Sequence, residues 1–145
     1  MIWLLRHGDA EAGSGGDDAS RRLTAKGERQ ARAAGLALAR LGVELDACLT
    51  SPRVRALATA QLACEPHAVE IEAADELRGG DFDLSALAAG RGSVLLVGHE
   101  PDFSRAVQVA TGARVDFKKG GLAAIDDGEL HALLRPRQIR EIAGV

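Results

Sequence analysis

Met1-Ile2-Trp3-Leu4-Leu5-Arg6-His7-Gly8 decides how this chain is read, because five apolar residues without alternation stop abruptly at a cation, an imidazole and a glycine. An unbroken apolar run describes a strand buried on both faces. In an open α/β sheet, the carboxyl end of such a strand is where ligands bind. Arg6 brings a planar fork of donors suited to phosphate, and His7 is a nucleophile or proton carrier near neutrality. Gly8 lets the backbone turn and come close to a bound anion. The tripeptide alone also fits an ordinary strand-end turn, so the rest of the chain has to decide.

A second run, Ser93-Val94-Leu95-Leu96-Val97, ends the same way, in Gly98-His99. If both strands are central and parallel, His7 and His99 emerge at one edge of the sheet and face one small volume. The intervening pattern supplies helices. Thr24 is expected to cap a helix over residues 25–41, with Ala31, Ala34, Leu38 and Leu41 as its apolar stripe and Gly42 as its stop. Gly27 and Gly35 inside it each cost about 1 kcal/mol relative to alanine, which close backbone approach would offset. A strand over 45–49 leads to Ser51 as helix cap and Pro52 as first helical residue, the helix reaching Ala63.

Further along, a strand is expected over 68–73, a loop over 75–82, a short helix over 84–89, and a helix capped by Asp102 that reaches Thr111. Residues 115–117 and 122–125 flank Lys118-Lys119-Gly120-Gly121 as a hairpin whose lysines either contact substrate or, the preferred reading, are simply solvated, and Asp127-Gly128 turns into a strand over 130–134. A tail from Pro136 packs back through Ile139 and Ile142. Strands alternating with helices and closed by a terminal hairpin predict an α/β fold: a three-layer α/β/α sandwich around a mostly parallel central sheet.

Composition narrows the function. The chain has 145 residues, suited to one domain over 1–145, and 46% of them are hydrophobic but only 3% aromatic, so Ala, Leu, Val and Ile must build the core. With 18 basic and 21 acidic residues the net charge is −3, which points to neither nucleic acid nor an anionic membrane as partner. Too few residues precede Arg6 for a signal peptide and no apolar run spans a membrane, so a cytoplasmic monomer is expected. Cys48 and Cys64 lack metal or redox spacing and read as buried free thiols. Asp17-Asp18 and Asp126-Asp127 read as turn residues rather than metal ligands, and no metal or other cofactor is implied. Gly8 and Gly13 have P-loop spacing, but Ser14 and Gly15 stand where its lysine and hydroxyl residue belong, which argues against nucleotide binding.

Arg53 and Arg55 fall in a helix's first turn, where a cation opposes the helix dipole unless an anion is held there. For Arg53 a solvated side chain is the preferred reading. Taken together, Leu4-Leu5-Arg6-His7-Gly8, Leu23-Thr24-x-x-Gly27-x-x-Gln30-Ala31, Thr50-Ser51-Pro52-x-x-Arg55-Ala56-x-x-Thr59-Ala60 and Val97-Gly98-His99-x-Pro101 resemble, in order, the motifs of the histidine phosphatase superfamily. The resemblance implies that His7 is a phosphorylated nucleophile and that Arg6, Arg55 and His99, with the backbone at Gly8, bind the phosphoryl group. It selects Arg55 over Arg53.

Larger members of that superfamily carry an insertion that covers the site and bears an acid for the leaving oxygen. Here only a short segment separates Pro66 from Ser93, so an open site is expected, with Glu76 as the nearest candidate acid by position, or simply a solvated carboxylate. Alcohols leave poorly without a proton donor, whereas imidazole departs readily once protonated. Short length, no room for a lid and this motif set resemble the small bacterial phosphohistidine phosphatases of the SixA type. The expected reaction is therefore removal of phosphate from histidine on a phosphorylated partner protein, such as a phosphorelay or phosphotransfer component. Two other readings are a phosphatase for small phosphoesters using Glu76 as acid, and a phosphate-sensing adaptor, although binding alone needs no nucleophile.

Overall fold

The sheet is built from β1 (Ile2–Arg6), β2 (Ala47–Thr50), β3 (Ile71–Ala73), β4 (Val94–Gly98), β5 (Leu122–Asp126) and β6 (Glu129–Leu134). In the computed structural model, which describes residues 1–13 and 16–145, these strands lie in the order β3-β2-β4-β1-β5-β6. Ser14 and Gly15, the positions that break the P-loop pattern, lie outside the described residues. The β1–β4, β4–β2 and β2–β3 pairs are parallel, while β5 runs against both β1 and β6. The two continuous apolar runs are thus the sheet's central pair, as a strand buried on both faces requires.

Alternation along these strands divides the interior into two layers. Trp3, Leu5, Leu95 and Val97 face helices α1 (Ala25–Arg40), α2 (Val54–Ala63) and α5 (Pro136–Ala143). Leu4, Val94 and Leu96 face the other way, with Leu84 of α3 (Leu84–Ala88) and with Phe103 and Val107 of α4 (Asp102–Thr111). The three-layer sandwich follows from this period of two.

Backbone proximity explains the helical glycines. A Cβ on Gly35 would lie 2.1 Å from the Ala63 carbonyl oxygen, and one on Gly27 would lie 2.0 Å from that of Asp9. Those contacts let α1 press against α2 and against the chain leaving β1. Thr24 caps α1 by accepting from the Gly27 N–H at 3.1 Å. Ala31, Ala34 and Leu38 are buried as the stripe requires, but Leu41 lies beyond the helix and is exposed.

Three local expectations are overturned. Ser51 does not cap α2, whose N-cap is Arg53; its hydroxyl instead accepts from the Arg53 N–H at 3.2 Å, a tight turn that delays the helix past Pro52. Asp102 is the first residue of α4 rather than its cap, and the Glu100 carboxylate takes over by accepting from the Ser104 N–H at 2.8 Å. Residues 115–117 form no strand, because the segment and the turn after it are tied to the end of β1: Arg6 Nη1 donates to the Phe117 carbonyl at 2.7 Å, and the Gly120 N–H donates to the Arg6 and His7 carbonyls at 3.1 and 3.0 Å. The terminal hairpin is β5–β6, turning at Asp127 (φ 48) and Gly128 (φ 74).

Candidate active site

Register brings the two histidines together. Leu5 pairs with Val97 and Arg6 with Gly98, and the ladder continues through the His7 N–H to the Gly98 carbonyl at 3.0 Å. His7 follows the parity of Leu5, and His99 that of Val97, so both rings project toward the same layer. Their centroids are 5.2 Å apart with ring planes tilted by 55°. Both side chains are buried, as is Arg55.

Each ring has one nitrogen held. His7 Nδ1 lies 2.7 Å from the Gly8 carbonyl oxygen. A carbonyl only accepts, so Nδ1 carries the proton and Nε2 keeps a lone pair. The Gly8 N–H donates to Thr59 Oγ1 at 3.1 Å, which fixes the turn after β1 to α2. His99 Nε2 lies 2.7 Å from Ser51 Oγ. Burial is the main cause that pushes the His7 pKa down to about 4, aided by the positive charges of Arg55, Arg6 and Lys119. Burial, with His7, Arg55 and Arg53 nearby, pushes His99 down to about 3. Both imidazoles are neutral at neutral pH.

The charge of Arg55 reaches both rings, and that of Arg6 reaches His7. Arg55 Nη1 donates to the Asp18 carbonyl at 2.9 Å and its Nη2 to the Asp18 carboxylate at 3.2 Å. Asp18 lies in a 3-10 turn, Asp18–Ser20, and also pairs with Arg21 and Arg53. The Arg21, Arg55 and Arg53 guanidiniums together hold its carboxyl below the usual range. The anion that cations at the start of α2 call for is therefore supplied by the chain itself. Asp18 does more than form a turn, and Arg53 is not merely solvated: its Nε donates to the Arg78 carbonyl at 2.7 Å.

The unmet bonding capacity is concentrated here. Among the described residues, the buried side-chain polar atoms without a hydrogen-bond partner are Arg6 Nε, Arg55 Nε and His99 Nδ1. Buried polar groups are ordinarily paired, so three orphans on three residues of one cluster describe a place for a ligand. Glu76 stands apart. It is exposed in the 3-10 turn Asp75–Leu77 and makes no hydrogen bond or ion pair with His7, His99, Arg6 or Arg55. The segment between α2 and β4 sends Leu77 and Leu84 into the core.

Lysines 118 and 119 divide. Lys118 pairs with Asp116 at 2.9 Å, whereas Lys119 lies 3.5 Å from Asp9 and its charge reaches His7. Lys119 is exposed, as a solvated hairpin requires, yet the Gly120 clamp on β1 brings its charge to the edge of the site. Ser51 and Asp18 are the participants that local sequence reading passed over. Spacing offers no signal for Asp18, but Ser51 stands inside a motif already singled out. Cys48 and Cys64 are buried and free. Among the described residues, no group of three His, Cys, Asp or Glu side chains is placed to hold a metal ion. No helix among them is long and apolar enough to cross a membrane.

Residues 2–100 match the sequence profile of the histidine phosphatase superfamily (branch 1). The chain belongs to this superfamily. As a member it is a phosphatase, a hydrolase acting on phosphoryl groups. An uncharacterized protein of Picosynechococcus sp. is 30% identical over 140 residues, covering 88% of this chain and 85% of that one. Among solved structures, the candidate phosphohistidine phosphatase SixA of Agrobacterium tumefaciens superposes with a TM-score of 0.82 at 28% identity, covering 93% of this chain and 97% of its own. A tungstate complex of the protein histidine phosphatase SixA shares the fold at TM-score 0.80 and 24% identity, covering 94% and 97%. The superfamily fold also serves other substrates: a phosphoserine phosphatase of Entamoeba histolytica matches at TM-score 0.71 and 15% identity, covering 95% and 98%.

Proposed function

We propose that the cluster removes phosphate from phosphohistidine on a partner protein, through a phosphohistidine intermediate on His7. The observation that carries this reading is the set of buried, unpartnered nitrogens on Arg6, Arg55 and His99, which suits a tetrahedral oxyanion held beside an imidazole whose Nε2 lone pair is free. Likeness to the Agrobacterium SixA structure supports the choice of substrate.

In this mechanism His7 Nε2 attacks phosphorus while the substrate's own nitrogen–phosphorus bond breaks. One such bond is exchanged for another, and the departing imidazole takes a proton from water. Arg6, Arg55 and His99 neutralise the equatorial oxygens, with the backbone at Gly8 close by. Water then attacks the phosphoryl group on His7 and releases inorganic phosphate. Because imidazole leaves without a strong acid, Glu76 need not reach the site for this substrate. An ester substrate would require it.

The test compares phosphate release from phosphohistidine and phosphoserine on the same protein scaffold, using wild type, His7→Ala and Glu76→Gln. Phosphohistidine is expected to turn over at least about 100-fold faster than phosphoserine, with loss of about 1,000-fold or more in His7→Ala and little change in Glu76→Gln. Faster phosphoserine turnover that collapses in Glu76→Gln would establish the ester reading. Binding without turnover, and without phosphate trapped on His7, would make the protein an adaptor.

A further inference from the structure

We infer that Ser51 is a positioning residue which fixes His99 as the Nδ1–H tautomer, so that this ring offers an N–H to the bound phosphoryl group while His7 offers a lone pair. Ser51 is fully buried. Its Oγ already accepts from the Arg53 N–H at 3.2 Å, and its other partner is His99 Nε2 at 2.7 Å. A serine hydroxyl carries one hydrogen. If His99 Nε2–H donated to Oγ, that hydrogen would have no acceptor among the described residues, and a buried donor without an acceptor is costly. His99 Nδ1 would then be a bare, unpartnered acceptor.

The opposite assignment satisfies every group except one. Ser51 donates to Nε2, Nε2 accepts, and the proton of the neutral ring moves to Nδ1. The single orphan left is an N–H donor, the kind of group an anionic oxygen takes up. The same tautomer thus serves opposite ends in the two rings. In His7 the Gly8 carbonyl holds the Nδ1 proton and leaves Nε2 nucleophilic, whereas in His99 the Ser51 hydroxyl occupies Nε2 and leaves Nδ1–H as donor. Strand register makes this possible, because the Ser51 N–H continues the β2–β4 ladder to the Val97 carbonyl at 2.9 Å, placing Ser51 beside the end of β4.

The inference rests on the reading of the cluster as a phosphoryl site, and its test separates the two. Long-range proton–nitrogen correlation spectra of protein labelled with nitrogen-15 in histidine report which ring nitrogen is protonated, the His99 signals being assigned by their absence in His99→Gln. Wild type is expected to show His99 protonated at Nδ1; a proton on Nε2 overturns the inference even if phosphohistidine is turned over. An Nδ1–H ring in a protein with no turnover would support the role of Ser51 and defeat the phosphatase mechanism. In Ser51→Ala the tautomer is expected to shift toward Nε2–H and tungstate affinity to fall about tenfold. A folded Ser51→Ala protein with tautomer or tungstate affinity unchanged overturns it, and where that variant fails to fold the wild-type spectrum decides alone.

Discussion

The two layers that sandwich the sheet are packed by opposite means. On the α1, α2 and α5 side the interior is largely alanine, with Ala33, Ala34, Ala37, Ala56, Ala60 and Ala63 all buried, and contact is backbone on backbone at Gly35 and Gly27. On the α3 and α4 side large aliphatic side chains surround three phenylalanines. Phe82, Phe103 and Phe117 meet edge-on or tilted in series, with centroids 5.9 Å apart at each step. The alanine layer has no slack to accept atoms, whereas the aromatic layer has large side chains whose loss leaves a hole. The catalytic candidates hang mainly on the former, since α2 carries Arg55 and Thr59, and Gly8 lies against Gly27.

Removing atoms from the aromatic layer should give the largest effect. Phe103→Ala is expected to lower unfolding free energy by about 3–5 kcal/mol in denaturant titrations, with the smaller effect on activity per folded molecule. Adding one carbon to the opposite layer should reverse that balance. Gly27→Ala must move the Asp9 carbonyl, 2.0 Å from the new Cβ, and with it the chain that carries His7 and Gly8. A stability loss of about 1–3 kcal/mol is expected, together with a fall in kcat/KM of about 100-fold. Equal loss of activity in the two variants would show that the layers support the site alike.

A third effect, read per pH unit, concerns protons. His7 and His99 have pKa values pushed down to about 4 and about 3, from an ordinary 6.5. As pH falls below 6.5 the unfolded chain takes up protons that the folded one refuses. The stability contributed by these neutral rings is therefore complete above 6.5 and is lost on the way down to about 4 for His7 and about 3 for His99, at no more than about 1.4 kcal/mol per pH unit for each ring. Denaturation midpoints measured from neutral to mildly acid pH should show that slope in wild type. Phe103→Ala should run parallel and lower, and His7→Asn should be flatter. A His7→Asn curve as steep as wild type would remove His7 as its source.

Legibility in the sequence followed the range of each interaction. The unbroken apolar runs of β1 and β4, Thr24 as the cap of α1, and the turn at Asp127-Gly128 rest on neighbours a few residues apart, and all were readable. Ser51 and Asp102 misled because each has the chemistry of a helix cap while its surroundings use it otherwise. Residues 115–117 have strand-forming side chains, but Arg6 and the Gly120 turn claim their region's backbone.

The sequence by itself determined that two buried strands end in histidine, that an arginine opens a helix after the second strand, and that the chain alternates between strands and helices, because periodicity and capping are local physics. Only the tertiary structure decided which groups complete the cluster. Asp18 meets Arg55 across 37 positions and Ser51 meets His99 across 48. Nothing in the spacing of a linear chain encodes such contacts, since they arise when register and helix packing carry distant residues to the same end of one sheet.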